Sequence, residues 1–188
     1  MSIILYIPLG ILLIVLIYVI YAYNKGIGLR NYVKEAFATM DVYLKKRWEL
    51  IPRLADTVKG GAKYESETFM KIAKARGQSY SGMNEMQKLL ANAELGYIAP
   101  GIMAIAEQYP DLKANANYLK LMDGLTEIEN EIAKARKYYN GTVRELNTYL
   151  ELFPTNVLGK IFGMEKADYF QIDESDRAAI QISAESLQ

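Results

Sequence analysis

The chain has 188 residues, no cysteine and no histidine, and its 22 Lys plus Arg are balanced by 22 Asp plus Glu. Without cysteine there are no disulfides, thiolate metal sites or cysteine nucleophiles. Without histidine the commonest general base, the usual zinc ligand and the Glu-x-x-His di-iron motif are gone, and zero net charge gives no pull toward nucleic acid. The expectation is therefore no cofactor, no metal, no nucleic-acid partner and no enzymatic activity.

The first element is Ile3 to Tyr23, IILYIPLGILLIVLIYVIYAY, with no charged side chain. As a helix it spans the ~30 Å hydrocarbon core of a bilayer. Pro8 and Gly10 are tolerated there because a membrane enforces internal backbone bonding. Ile3, Leu12 and Ile17 are read as lipid-facing, and Tyr18, Tyr21 and Tyr23 cluster at the far end, where amphipathic rings sit at headgroup level. A cleaved signal peptide would need a basic start, a shorter apolar run and a small-residue cleavage site, so an uncleaved anchor over residues 1–24 is expected. Lys25, Arg30 and Lys34 follow the run and nothing basic precedes it. The positive-inside rule then predicts a short N-terminus outside and everything after Asn24 in the cytoplasm.

The roughly 165 residues beyond suffice for one domain with a real core. In the first arm Phe37, Leu44, Ile51 and Val58 form one row spaced by seven, beside Val33, Met40, Arg47 and Leu54. Such spacing predicts a helix packed lengthwise, kinked or ended by Pro52 near Ile51. Gly60-Gly61 is a second expected break. Helical spacing resumes at Phe69, Ile72, Ala73 and Arg76, and Gly77 to Gly82 reads as a turn. The second arm, Asn84 to Gln108, places Met86, Leu89, Leu90, Ala93, Ile102, Ile105 and Ala106 on one face, with a kink or a short break at Pro100-Gly101. Tyr109-Pro110-Asp111 is a boundary, and Asp111 or Asn115 is the expected cap of the next helix.

The third arm is the clearest. Tyr118, Leu125, Ile132, Tyr139, Leu146 and Phe153 recur every seven residues beside Met122, Glu129, Arg136, Val143 and Leu150. This predicts a helix of roughly 60 Å in a left-handed bundle, stopped by Pro154. Val157, Leu158, Ile161 and Phe162 follow on a short segment, residues 155–170, read as a docking element for a neighbour. Residues 171–188 are expected to be disordered.

Arg47, Glu129 and Arg136 fall in apolar rows, so they must pair or snorkel. With Asp41 they are read as a buried polar network that fixes helix register, in preference to a ligand pocket. Glu127, Glu129 and Glu131 diverge by about 200° at each step of two and cannot share one metal. Lys45-Lys46-Arg47-Trp48 fans around the helix axis and reads as a solvated face rather than a nucleic-acid patch.

Several stretches together carry a family resemblance. They are Phe37-Ala38, Asp41-Val42-Tyr43-Leu44-Lys45-Lys46-Arg47, Leu50-Ile51-Pro52-Arg53-Leu54 and Thr57-Val58-Lys59-Gly60, then Ala106 to Asn115 (AEQYPDLKAN), Glu129 to Arg136 (ENEIAKAR), Tyr139-Asn140, Asn147 and Phe153-Pro154 with Asn156. In this order they resemble the LemA family of bacterial membrane proteins over nearly the whole chain to about Phe170. The resemblance implies one N-terminal transmembrane helix, an elongated cytoplasmic helical bundle and no established enzymatic activity; one branch of the family is associated with magnetosome membranes. The sequence departs from the family at Glu94 to Gly101, where a continuous helix is more usual.

The expected architecture is all-α: an N-terminal transmembrane helix, then an elongated antiparallel bundle of long helices over residues 25–154. The expected role is a membrane-anchored scaffold that self-associates through the anchor or the docking segment, which the odd number of arms would carry away from the bilayer. The alternative is a signalling adaptor with an unknown soluble partner, in which Pro52, Gly60-Gly61 and Pro100-Gly101 act as hinges. A carboxylate-dependent enzyme ranks last.

Overall fold

A computed structural model describes residues 2–61 and 79–170. The expected helical stretch around Phe69 and the tail from 171 lie outside the described residues. Among those described there are helices and no strands. They are α1 (Ser2–Gly61), a 3-10 turn (Tyr80–Gly82), α2 (Glu85–Glu107), α3 (Pro110–Lys113), α4 (Ala116–Glu151) and α5 (Thr155–Ile161). The chain packs as two units, one drawn from Met1–Ala36 and Arg136–Gln188, the other from Phe37–Ala135; α1 and α4 contribute to both.

In the Phe37–Ala135 unit the heptad rows are the core. Phe37, Met40, Leu44, Ile51, Leu54 and Val58 of α1 are all buried, and so are Leu125 and Ile132 of α4. Ile51, Leu54, Ala55 and Val58 pack with Leu95, Ile98, Ala99, Ile102 and Ala106 of α2 and with Tyr118 and Leu125 of α4. Arg47 meets Glu129 while Leu50 lies against Gly124, so α1 and α4 run antiparallel here.

Three expectations are corrected. Neither Pro52 nor Pro100 ends its helix, because α1 and α2 run on through them. Each proline loses one backbone bond, but the flanking turns are held by buried neighbours at Ile51, Leu54, Ala99 and Ile102. The buried face of α2 is the expected one only in its second half, at Ile102 and Ala106. Asn92, Leu95, Ala99, Ile102 and Ala106 point inward, while Met86, Leu90 and Ala93 are exposed. Finally, Phe153 is 82% exposed: α4 ends at Glu151, so the heptad register does not extend to it.

Local signals place the helix ends. Asn115 Oδ1 accepts the amides of Asn117 and Tyr118, capping α4 at 2.9 and 3.3 Å. Asn84 and Gln87 exchange amide-to-side-chain bonds at 2.9 Å each, a capping box for α2. After α5, Met164 N–H bonds Gly159 C=O and Gly163 N–H bonds Lys160 C=O. That pair of bonds is a Schellman ending, and it needs the left-handed φ of 62° that Gly163 supplies.

Candidate functional site: the foot of the anchor and two polar clusters

In the unit that holds the anchor, α1 changes character within one residue. From Tyr6 to Tyr21 every side chain is exposed except the half-buried Val19, and Leu12, Ile17, Tyr18 and Tyr21 are among the exposed. Ile3 lies on the same helix. Packing begins at Ala22, whose carbonyl accepts the Tyr149 hydroxyl at 2.6 Å. The next turn is closed by the C-terminal segment. Tyr23 meets Phe162 edge-on at 4.9 Å, Lys25 lies 5.7 Å from the Tyr149 ring centroid, and Gly26 is covered by Met164 and Tyr149 so closely that a Cβ would stand 2.7 Å from the Met164 sulfur. Arg30 and Lys34 are exposed farther along α1.

These contacts correct the expectation that Phe153 to Phe170 lies away from the bilayer. The short helix α5 sits at the foot of the anchor, because α4 runs back to Ala22 before the chain turns. Its residues Val157, Ile161 and Phe162 are exposed and Leu158 is half-buried.

Beyond Gly163 the chain is extended, and two asparagines one heptad apart on α4 hold it. Asn147 donates to Ala167 C=O and accepts from Ala167 N–H, both at 2.9 Å. Asn140 does the same with Phe170, at 2.9 and 2.8 Å. Tyr139 adds a bond to the Asp168 carbonyl at 3.0 Å, and the Arg136 guanidinium lies 4.4 Å from the Phe170 ring centroid. Each asparagine amide satisfies both polar groups of one residue, as a neighbouring strand would. Asn140, Asn147 and Tyr139 belong to the motif residues of the sequence, but nothing in their spacing points to this strap.

The Phe37–Ala135 unit holds two polar clusters. In the first, Arg47 Nε stands 2.7 Å from Glu129 Oε1, with the arginine 5% exposed and the Glu129 side chain 41%. The approach is oblique to the N–H direction, so it is a charge contact rather than a directed hydrogen bond. Burial lowers the Arg47 pKa and Glu129 opposes that shift; the guanidinium stays charged. Gly96 makes room for it, since a Cβ there would lie 3.0 Å from Nη2.

In the second cluster Asp41 accepts the Tyr80 hydroxyl at 2.7 Å and the Lys88 ammonium at 2.6 Å. Lys88 stands 5.2 Å from the Tyr80 ring centroid, Trp48 packs beside that ring at 5.7 Å, and Asn92 donates to the Lys88 carbonyl. Burial, then the bond to Asp41, pushes the Tyr80 phenol far above its ordinary range. Of the four residues read as one register network, the structure thus pairs Arg47 with Glu129, gives Asp41 to Tyr80 and Lys88, and sets Arg136 on Phe170. Among the described residues no three acidic side chains converge as metal ligands.

This chemistry joins helix to helix and strap to helix. Comparison with known proteins agrees in kind. The sequence model of the LemA family matches residues 36–183. Protein LemA of Metamycoplasma hominis is 26% identical over 92% of this chain and 80% of its own length. Magnetosome protein MamQ 2 of Paramagnetospirillum magneticum is 35% identical over 43% of this chain, and Magnetosome protein MamQ of Magnetospirillum gryphiswaldense is 30% identical over 43%. The chain spans only 30% and 29% of the length of those two relatives. The chain belongs to the LemA family, as a membrane-associated member.

Proposed function

We propose that this protein is a membrane-tethered scaffold whose copies associate in the plane of the membrane. Residues 1–24 are the anchor, with the N-terminus outside. Residues 25–154 are the helical bundle on the cytoplasmic side, biased there by Lys25, Arg30 and Lys34. The observation that carries this reading is the exposed apolar run Tyr6 to Tyr21 on the same helix that forms the bundle core from Val33 onward. An anchor that is part of the same helix as the bundle core tethers that bundle at the membrane. The run also leaves open space around Gly10, where a second anchor helix can approach closely.

The prolines favour the scaffold over a hinged adaptor, since α1 and α2 continue through Pro52 and Pro100. The test is co-expression of two differently tagged full-length copies in one membrane. Each tag is expected to retrieve the other after extraction in mild detergent. Copies that separate cleanly and run as monomers over a wide concentration range contradict self-association.

A further inference from the structure

We propose that the α4–α5 turn is a second membrane-contact element, in which Leu152, Phe153, Val157, Ile161 and Phe162 enter the headgroup and upper acyl region of the leaflet from which α1 emerges. These five side chains are exposed by 58, 82, 47, 69 and 42%. Val157 and Ile161 lie four apart on α5 and so share one face, with Leu152 and Phe153 in the turn before it and Phe162 just after it. A cluster of large exposed apolar side chains marks an interaction surface.

Its position selects the bilayer as the occupant. Phe162 meets Tyr23 edge-on, Tyr149 is bonded to the Ala22 carbonyl, and Met164 covers Gly26. The turn is therefore pinned to the one stretch of α1 where the exposed apolar run ends and packing begins. In a membrane that stretch is the interface, where tyrosines at 18, 21 and 23 sit at headgroup level. The rim chemistry fits. Lys160 is exposed on α5, and Glu151, the acid nearest the cluster in sequence, is neutralised by Lys166 at 2.7 Å. Interfacial elements of this type bury their apolar face about 5–10 Å into the headgroup and acyl boundary. The anchor holds the turn at high local concentration, so a small patch suffices.

The natural absence of cysteine gives a direct test, with full-length protein in lipid nanodiscs carrying one nitroxide label at a time. Leu12→Cys marks the anchor and Lys137→Cys an exposed site on α4; Val157→Cys and Ile161→Cys report on the turn. Collision with oxygen and with a water-soluble nickel chelate reads the depth of each label. Labels at 157 and 161 are expected to be several-fold less accessible to nickel than the label at 137 while remaining open to oxygen. Nickel accessibility equal to that at 137, with the label at 12 still in lipid, overturns the inference and leaves the anchor standing. Shielding from both reagents overturns it too, because that is the signature of a protein surface such as a second copy.

Discussion

Asn147 occupies a heptad-spaced position on α4, but its side chain serves the backbone of Ala167 in both directions. Replacing it with alanine leaves a paired donor and acceptor unmet, at a cost of about 1–3 kcal/mol. Asn147→Ala is expected to speed amide exchange at Ala167 while the Asn140–Phe170 pair persists. Asn147→Asp keeps the acceptor and loses the donor, and falls between. Glu129→Gln strands the Arg47 charge; because the glutamate side chain is 41% exposed, the expected loss is about 1–2 kcal/mol rather than the larger penalty of a sealed pair. The double replacement Arg47→Met with Glu129→Gln recovers most of that loss in equilibrium unfolding. Tyr80 gives a pH signature. Its phenol is raised in the folded state above the ordinary value of 10.0. The contribution of the protonated phenol is fully present below that pH and drains away as pH rises above it. Wild type is therefore expected to lose stability through the alkaline range more steeply than Tyr80→Phe, compared by urea unfolding at several pH values.

At the scale of elements, the helices of strict period were legible. Eight α1 residues in the two rows from Val33 to Val58 are buried, and the α4 rows are buried or half-buried to Leu150. A 3.5-residue repeat leaves its mark because large apolar side chains recur at fixed spacing. The face of α2 was legible only at Ile102 and Ala106. It is completed by Asn92, Leu95, Ile98 and Ala99, with Gly96 admitting an arginine, while the bulky Met86 and Leu90 face outward. The strap was illegible for a different reason. Its partners hold it through backbone atoms, so Ala167 and Phe170 need no particular side chain and carry no signature. Pro52 and Pro100 do not end their helices, since tertiary packing holds helices whose local propensity is poor. Pro100 is exposed and lies within α2, so its ring adds little packing. Pro100→Ala restores a backbone donor toward the Gly96 carbonyl and is expected to raise stability by about 1–3 kcal/mol in thermal or chemical unfolding.

At the scale of the whole molecule, the long apolar N-terminal helix and the family were legible, and the return of the C-terminal segment to that helix was not. Counting arms places that segment far from it. The contacts of Tyr23 with Phe162 and Ala22 with Tyr149 place it beside the end of the exposed apolar run instead. The polar residues join helices and strap, in keeping with the scaffold proposed above. The central claim is that the anchor organises an assembly, and the mass of the full-length protein in nanodiscs or mild detergent tests it most directly, beside the mass of the chain beginning at Lys25. The account predicts a defined oligomer for the full-length protein that falls apart when the anchor is removed. Monomers in both forms would contradict it.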